Sequence, residues 1–524
     1  MKLPIPTNLD VKTFSSGKVT VTRAGTKNVI YEKTPDGKVL ASQRPSVLLY
    51  EDASVSVADE KGRGIYFWEK VGLPYFVNDD TVYKTNYAGP LAATISSGRQ
   101  QVDFFEIGDY LVILDYQNNE GWYIDSAADT TLVEITDVDF PPKQTPALQI
   151  VAGGAVLNET LFVGCTNGEL WNSAIEDPTT WAGTDFITAE VDKDKGMSVR
   201  LHNQHVVFFG SRTIEFFYWA NNPTGSPLSV RQDITLDMGG TSSDTYWADE
   251  GNLYFLGVTA TGGVGVYVLS GFEVTKISNH DIDRIFYEAY TDSLPIIYAS
   301  GFSSGGRSFY IITTNAATSA TNAYEPVESF VYDTTGGWSI WTICLSGFCD
   351  YPLIDHTKGS NSFSKRGILS NGDLIGSLDS NYGVDIGVDT DWVEDGWVEP
   401  TWVSGAGTLL GEYINIEIIL EPFDAGTMDY KYASNLRPVR TPQDDVYVTI
   451  PPSVIYPAAD TRLNISWSDD EIENYKPVNT IELYESDSRI ARCGRFKTRQ
   501  HKITYSGPIY IEIEGLEFDL EKGM

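Results

Sequence analysis

Residues 196–240, GMSVRLHNQHVVFFGSRTIEFFYWANNPTGSPLSVRQDITLDMGG, decide the fold of this chain. Short runs of β-branched and aromatic residues alternate there with turn residues such as Asn, Gly and Asp. The same layout continues in YWADEGNLYFLGV (246–258) and GVYVLSGFEVTKISNHDIDRIF (265–286). Short strands joined by tight turns at this spacing predict a succession of antiparallel hairpins.

Similar hairpin units recur on both sides of this stretch, every ~45–60 residues, which is typical of propeller blades of four short strands. A blade buries its faces only against its neighbours, and closing the ring removes exposed strand edges. We therefore predict an all-β protein in which residues 45–384 form a β-propeller-like toroid of about six blades. The units lie at 64–87, 107–126, 151–174, 199–218, 247–271 and 307–342.

The pattern changes after residue 385, where several segments alternate strictly between apolar and polar residues. Two-faced strands of this kind predict an antiparallel β-sandwich or sheet, so we assign 385–524 to a C-terminal β-rich platform domain. Residues 1–44 precede the first unit and are predicted to form an N-terminal arm. The apolar spacing of HDIDRIFYEAY (280–290) predicts one short helix.

Charge is strongly and unevenly distributed along the chain, which has 72 acidic and 37 basic residues among 524 and a net charge of −35. Such a balance repels nucleic acid phosphates. Residues 367–430 contain thirteen Asp or Glu and no Lys, Arg or His, whereas residues 489–502 contain six Lys or Arg and no acid. We interpret these blocks as faces for different partners; a solvated acidic surface or an adaptation to salt is the alternative.

Hydropathy and cysteine content place the chain among folded proteins without membrane spans. No apolar run approaches the ~18 residues that a spanning helix needs, and the N-terminus has no signal-peptide core. Four cysteines are too few for a disulfide framework in a chain of 524 residues, which favours a reducing compartment.

Two motifs could indicate a reactive site. GFSSG (301–305) has the spacing of a nucleophile elbow around Ser303, but a strand-like run follows where that motif needs a helix. We therefore interpret it as a glycine-rich loop. His202 and His205 would face opposite sides of a single strand, which does not suit joint binding of a metal.

The other candidate sites are weaker still. Residues 190–196 faintly resemble a calcium loop, but the glycine falls one place late and the closing glutamate is missing. Cys344 and Cys349 have no matching second pair for zinc. WSDDEIENYKP (467–477) is only a decayed version of the Asp-box turn that sialidase propellers repeat. We predict no catalytic residues, no metal and no cofactor.

The run 199–286 resembles the packaged-DNA stabilisation proteins of short-tailed bacteriophages, which are also described as tail hub or nozzle proteins. The most typical core is RTIE (212–215) within VVFFGSRTIEFFYWA (206–220). After residue 385 the resemblance rests mainly on 488–515. Further segments that carry it are RPSVLL (44–49), RGIYFWEKVGLPYFVNDDTVYK (64–85), GGT (239–241), LYFLG (253–257), GVYVLSG (265–271), ISNHDID (277–283) and FVYDTTGGWSIWT (330–342).

The resemblance implies a structural virion protein of a short phage tail, made in the host cytoplasm. It implies a homo-hexameric ring below the portal and adaptor proteins, in contact with tail fibres or spikes and with a plug or needle protein. The ring would be the DNA exit conduit and would help to retain the packaged genome. Neither enzymatic activity nor a small-molecule substrate is implied. Six copies at −35 each would carry −210 formal charges, so double-stranded DNA would pass the lumen without specific binding.

The basic segment near the C-terminus is the candidate interface. Alternation in GRFKTRQHKIT (494–504) predicts Arg495, Lys497, Arg499 and His501 on one face of a regular strand. Because four cations on one face repel each other, we expect Asp or Glu to pair with them, within the chain or across a subunit boundary. The alternative is an intrachain salt-bridge ladder or a solvated edge. The candidate subunit or partner contacts are Arg489, Arg492, Arg495, Lys497 and Arg499.

Two other functions stay open on the sequence alone: a carbohydrate-acting propeller enzyme and a soluble propeller scaffold that binds proteins. A ring of six chains in solution would favour the tail conduit, whereas a monomer with activity on glycans would favour the enzyme. A monomer without such activity would favour the scaffold. We also expect the acidic block 367–430 to lie on a solvent or lumen surface, because thirteen carboxylates without a local cation are costly to bury.

Overall fold

The computed structural model of this chain is built almost entirely of β-strands, as the sequence predicts. Among the described residues, one α-helix is present, α1 (His280–Thr291), at the segment where a helix is predicted. Two short 3₁₀ turns, Ser126–Ala128 and Pro141–Lys143, accompany it. The structure describes residues 2–7, 9–13, 19–49, 62–85, 90–98, 100–189, 194–241, 244–249, 251–291, 297–304, 307–317, 324–334, 337–343, 345–355, 360–369, 374–379, 384–386, 411–424, 430–440, 449–450, 454–455, 462–469, 475–482, 489–507 and 511–522.

Six strands precede the first sheet of the repeat region. They are β1 (Lys2–Pro4), β2 (Asp10–Thr13), β3 (Val19–Lys27), β4 (Val29–Lys33), β5 (Val39–Gln43) and β6 (Ser46–Leu49).

Seven sets of mainly antiparallel strands then follow one another within the described residues from 62 to 379, and the sixth and seventh sets are parts of larger sheets. The first three are β7 (Gly62–Trp68), β8 (Leu73–Asn78), β9 (Thr81–Lys84) and β10 (Pro90–Thr94); β11 (Asp103–Ile107), β12 (Tyr110–Asp115), β13 (Glu120–Asp125) and β14 (Leu132–Glu134); and, after β15 (Ala152–Gly153), β16 (Ala155–Leu157), β17 (Thr160–Gly164), β18 (Glu169–Ala174) and β19 (Asp177–Thr188).

The remaining four sheets keep the same layout. They are β20 (Gly196–His202), β21 (His205–Gly210), β22 (Ile214–Trp219) and β23 (Leu228–Leu236), with β15 parallel to β20; β24 (Met238–Gly240), β25 (Trp247–Asp249), β26 (Asn252–Thr259), β27 (Val264–Ser270) and β28 (Glu273–Lys276); β29 (Ile297–Ser304), β30 (Arg307–Ala317), β31 (Tyr324–Asp333) and β32 (Gly337–Trp341); and β33 (Leu345–Asp355), β34 (Ser360–Leu369) and β35 (Leu374–Asp379) with β6.

The seventh sheet closes the ring. Its fourth strand is β6, which pairs antiparallel with β35 from Ser46 opposite Asp379 to Leu49 opposite Ile375. On its other side, β33 lies against β7 of the first sheet. This last unit is divided between the two ends of the propeller sequence. The blade count of about six stays a prediction. Ring closure through β6 removes two sheet edges that would otherwise be exposed.

Hydrophobic clusters lie between successive sheets. Trp68 and Val82 of the first sheet pack with Leu111 and Ile124 of the second. Equivalent clusters join the second to the third sheet, the third to the fourth, the fourth to the fifth, and the fifth with α1 to the sixth. Burial of apolar surface stabilises a protein by ~25 cal/mol per Å². Because each unit buries apolar surface against its neighbours, its stability depends on them, as predicted for a propeller.

The chain continues with the strands β36 (Val384–Ile386), β37 (Gly411–Tyr413), β38 (Ile416–Ile419), β39 (Lys431–Arg440), β40 (Thr449–Ile450), β41 (Val454–Ile455), β42 (Arg462–Ser468), β43 (Lys476–Glu482), β44 (Ile490–Phe496), β45 (Gln500–Tyr505) and β46 (Glu512–Lys522). The first two, β36 and β37, extend the seventh sheet beyond β6.

Two sheets of this region share one hydrophobic cluster. One has the order β4-β5-β46-β39-β44, with β1 on β46. The other continues the sixth propeller sheet, because β3 pairs in parallel with β32 and is followed by β38-β45-β42-β43. Tyr31, Leu436 and Phe518 of the first sheet pack in the same cluster as Ile418 and Ile503 of the second. Residues 1–44 therefore supply strands to the C-terminal sheets, although Leu9 and Ile30 are buried against the propeller. The proposed division at residues 44 and 384 stays a prediction.

Candidate assembly interface and the centre of the propeller

Charged side chains from three sheets meet at the centre of the propeller. Arg200 lies on β20, Asp103 begins β11, and Asp244 precedes β25. The Nη2 atom of Arg200 is 3.4 Å from Oδ1 of Asp103 and donates a hydrogen bond to Asp244. All three side chains are nearly buried, with 11–13% exposure. One guanidinium thus joins carboxylates from two other parts of the ring.

The backbone around this cluster is shaped to hold it. Gly153 of β15 donates its N–H to Oδ2 of Asp103 at 2.7 Å. Its φ is +81°, and a Cβ at this position would lie 1.1 Å from Nη1 of Arg200, so only glycine leaves room for the guanidinium. Burial raises the pKa of Asp103 to about 7, and the carboxylate of Asp244 adds to the rise, although Arg200 opposes it.

Aromatic side chains fill the space around the cluster. The Tyr246 ring centroid lies 4.9 Å from Cζ of Arg200. Tyr116 and Tyr310 are also buried, and the Tyr310 hydroxyl donates to the carbonyl of Thr245. Burial raises the pKa of all three tyrosines, so they are neutral near pH 7. Among the described residues, side chains from parts of the ring that are not neighbours in sequence are thus in contact around Arg200.

A second buried ion pair joins the first two sheets. Arg63 and Asp115 are fully buried, with Nη2 of Arg63 2.7 Å from Oδ2 of Asp115. The rest of the guanidinium donates to the carbonyls of Asp79, Ser96 and Gln100. A buried charge is tolerated when its hydrogen bonds are satisfied in this way. The propeller therefore neutralises its buried charges within the chain.

The basic segment is not one regular strand. Arg495 lies near the end of β44, the chain bends at Lys497 and Thr498, and His501 lies on β45. The predicted single face of four cations is therefore wrong. Arg495 and Lys497 are exposed, whereas Arg499 and His501 are buried.

The exposed part of the segment carries four cations. Arg489, Arg492, Arg495 and Lys497 are all exposed on β44 and its flanks. The Cζ atom of Arg495 is 3.7 Å from the ring centroid of Tyr430, and Nζ of Lys497 is 4.9 Å from it. Cations stacked on an aromatic face are held in place but keep their charge. Within the described residues, none of the four lies within ion-pair distance of a carboxylate.

The buried part of the segment is satisfied within the chain. Arg499 forms a bidentate pair with Asp469, at 2.5 Å to Oδ1 and 2.8 Å to Oδ2. Its guanidinium also packs on the rings of Trp467 and Phe496. Arg499 is 3% exposed, so its predicted role as a partner contact is replaced by an intrachain one. The sequence offers no Gly or Pro at the bend to signal this change.

His501 is buried among aromatic rings beside this pair. Its ring centroid is 4.8 Å from that of Phe518, and neither ring nitrogen has a hydrogen-bond partner among the described residues. Burial lowers the pKa of His501 to about 3, and the charge of Arg499 lowers it further. The neutral imidazole thus acts as a packing group.

The sequence-predicted reactive residues have structural partners. Ser303 lies on β29 and donates to Oδ1 of Asp249 at 2.6 Å. Residues 301–304 are thus part of a strand, so the interpretation of the motif as a glycine-rich loop is wrong. His202 and His205 lie opposite each other across a two-residue turn, not on opposite sides of one strand. Their rings are bonded separately, His202 to the carbonyl of Gly271 and His205 to that of Asn203.

Some predicted features fall outside the described residues. These are residues 190–193 of the calcium-like loop, Cys344, most of the acidic block 367–430 and the side chain of Cys349. Asp194, the described acid of that loop, accepts the backbone N–H groups of Arg212 and Thr213, and so fixes the turn before β22. In the part of the chain that is described, no cluster of three His, Cys, Asp or Glu could hold a metal. Nor does that part contain a helix long and apolar enough to cross a membrane.

Comparisons with solved structures return distant matches. The computationally designed Ika8 protein is 8% identical, with 63% of this chain and 98% of that chain covered and a TM-score of 0.35. The WD40 domain of coronin from Toxoplasma gondii is 11% identical, with 72% and 87% covered and a TM-score of 0.32. Both TM-scores are below 0.5, so neither likeness carries weight. No curated protein matches.

The family comparison is decisive. The phage stabilisation family, described as bacteriophage P22 Gp10, beta-propeller, matches residues 48–379, which is 332 of the 524 residues. The matched range begins within β6, which closes the ring, and ends with β35, to which β6 is paired. Family and structure therefore define the same propeller, and the chain belongs to the phage stabilisation family of tail β-propeller proteins.

Proposed function

We propose that this protein is the ring-shaped hub or nozzle of a short phage tail, through which DNA leaves the virion, and that it helps to retain the packaged genome. It acts as a structural protein and not as an enzyme. In this proposal six copies assemble below the portal and adaptor, and the ring contacts fibres or spikes and a plug or needle protein. Membership of a phage tail propeller family supports this proposal most directly.

The packing at the centre of the propeller supports a conduit between copies of the chain. Arg200, Asp103 and Asp244 contact each other there, which favours a DNA path outside the axis of a single propeller. In this proposal the lumen lies between the copies of a ring. Homo-oligomers with closed rotational symmetry provide such a lumen. The net charge of −35 per copy suits a wall that does not retain phosphates by counterion release.

The mass of the purified full-length protein in solution tests this proposal. Six copies of 57.9 kDa give a particle of about 347 kDa, which light scattering or mass photometry distinguishes from the single chain. A stable monomer over a range of ionic strengths and concentrations would contradict the ring. A monomer that cleaves glycans would support the enzyme alternative, and one that does not would support the scaffold alternative.

A further inference from the structure

Residues 2–9 extend from the C-terminal sheets to the propeller. The strand β1 pairs antiparallel with residues 515–517 of β46. Ile5 is 5% exposed and lies in the hydrophobic cluster that the two C-terminal sheets share. Leu9 is 1% exposed and packs with α1 and with strands of the fifth and sixth propeller sheets, and Nδ2 of Asn279 donates to its carbonyl oxygen at 2.8 Å. This short segment therefore has one apolar anchor in each of two hydrophobic clusters.

A glycine lies against each half of this segment. Gly515 of β46 has a φ of +142°, and a Cβ at this position would lie 2.1 Å from the carbonyl oxygen of Leu3. Gly337 of β32 has a φ of +130°, and a Cβ there would lie 2.1 Å from the carbonyl oxygen of Thr7. Only glycine lets two backbones approach so closely. Both the C-terminal sheet and the propeller are thus shaped to receive residues 2–9.

Hydrogen bonds connect the middle of the segment to both parts of the molecule. Tyr31 of β4 is buried, and its hydroxyl oxygen is 3.2 Å from the carbonyl oxygen of Pro6 and 2.9 Å from that of Trp338 on β32. The backbone N–H of Trp338 donates to the carbonyl oxygen of Thr7 at 3.1 Å. Buried backbone carbonyls need such partners, so residues 2–9 are held by specific contacts and not by apolar packing alone.

We propose that residues 2–9 form a strap that locks the C-terminal sheets to the propeller, and that the strap binds and is released as one unit. Its pairing with β46 covers three residues, so β1 depends on Ile5 and on the contacts that follow it. Because Ile5 lies between the two glycine contacts, opening at either glycine removes support from the other. Local opening of such a unit leaves the propeller folded. All of these contacts lie within one chain, so the strap does not depend on ring assembly.

Blocking one glycine contact at a time tests the proposal in the full-length chain. Gly515→Ala and Gly337→Ala each place a methyl group where a carbonyl oxygen of the strap lies. The probes are Ile5→Cys and Leu9→Cys, made separately, whose thiols are buried while the strap is bound and react with a thiol reagent when it is released. Peptide mass spectrometry assigns the label to each position. Either alanine substitution should raise the labelling rate at both probe positions by about tenfold or more over the same probe in the otherwise wild-type chain.

Two controls separate release of the strap from other effects. Gly37→Ala, in the hairpin between β4 and β5, also adds a side chain at positive φ (+81°), but nothing lies within 4 Å of the new Cβ. It should leave both labelling rates unchanged. Cys165 is buried in the propeller and should stay unlabelled in every variant, because its labelling would report unfolding of the propeller.

The pattern of labelling decides the outcome. A rise at position 5 alone in Gly515→Ala, and at position 9 alone in Gly337→Ala, would show two independent contacts and overturn the proposal. Unchanged labelling in both variants would also overturn it. If neither alanine variant folds, Ile5→Asp leaves both glycines in place and should raise the labelling of Leu9→Cys by about tenfold. Unchanged labelling there would equally contradict release as one unit.

Discussion

Charged side chains are buried and paired at the centre of the propeller, whereas they are exposed at the edge of the C-terminal sheet. At the centre, Asp103, Arg200 and Asp244 are buried and satisfy each other, as do Arg63 and Asp115 nearby. At the edge β44, four cations are exposed and lack carboxylate partners among the described residues. Charge that the chain neutralises itself holds the fold together, whereas charge that it presents to solvent is available to a partner. Position in the primary sequence does not separate the two classes; burial does.

The buried pair Arg63–Asp115 should give the largest effect on stability. Replacing Arg63 by Met leaves a fully buried carboxylate without its cation and frees three backbone carbonyls, which we expect to cost about 3–5 kcal/mol in the free energy of unfolding. Urea denaturation followed by tryptophan fluorescence measures this. The matched control Lys70→Met removes an exposed ion pair and should cost less than about 1 kcal/mol. Equal losses in the two variants would mean that burial does not separate the two classes of charge.

The basic segment itself offers the next comparison. Arg499→Met removes a buried guanidinium and should destabilise the C-terminal sheets by about 1–3 kcal/mol, because the buried carbonyl of Cys493 loses its donor. Arg495→Met, a few residues away, removes an exposed cation and should change stability by less than about 0.5 kcal/mol. Thermal unfolding of both variants at one ionic strength compares them, and a larger loss for Arg495→Met would contradict the assignment.

The buried His501 predicts a loss of stability in acid. Its pKa is about 3 in the folded protein against the ordinary 6.5, so the unfolded chain binds the proton first as the pH falls. This contribution is fully present above pH 6.5 and is lost between pH 6.5 and 3, on the order of 2 kcal/mol by pH 4.5. His501→Leu should flatten the dependence of the thermal midpoint on pH in that window. If the thermal midpoint of the variant depended on pH as steeply as that of the wild type, His501 would not be the source of this dependence.

The raised pKa of Asp103 predicts a smaller effect of pH on stability, with the opposite sign, in the propeller. Its pKa is about 7 when folded against the ordinary 3.8, so the folded chain keeps its proton longer as the pH rises. Stability from this group is greatest in acid and declines as the pH rises from 3.8 to 7. Asp103→Asn keeps the neutral form and should stabilise the protein by about 1–2 kcal/mol at pH 8 but by little at pH 4. Denaturant midpoints at the two pH values test this, and an equal change at both would contradict it.

The sequence predicted the repeated hairpins, the propeller and the family because these depend on local patterns of strand and turn residues. It could not identify the fourth strand of the seventh sheet, since β6 and β35 are separated by almost the whole propeller. The Asp103–Arg200–Asp244 cluster could not be predicted for the same reason, because its members lie far apart in the sequence, on β11, on β20 and before β25. The single-face prediction for Arg495 and Arg499 failed because the chain bends between them without a glycine or proline.

Imaging of the purified protein tests the central claim most directly. Class averages from electron microscopy should show a ring of six copies, with one open lumen between them and a closed centre in each propeller. An open lumen along the axis of a single propeller, or isolated chains under conditions that preserve the fold, would contradict the account.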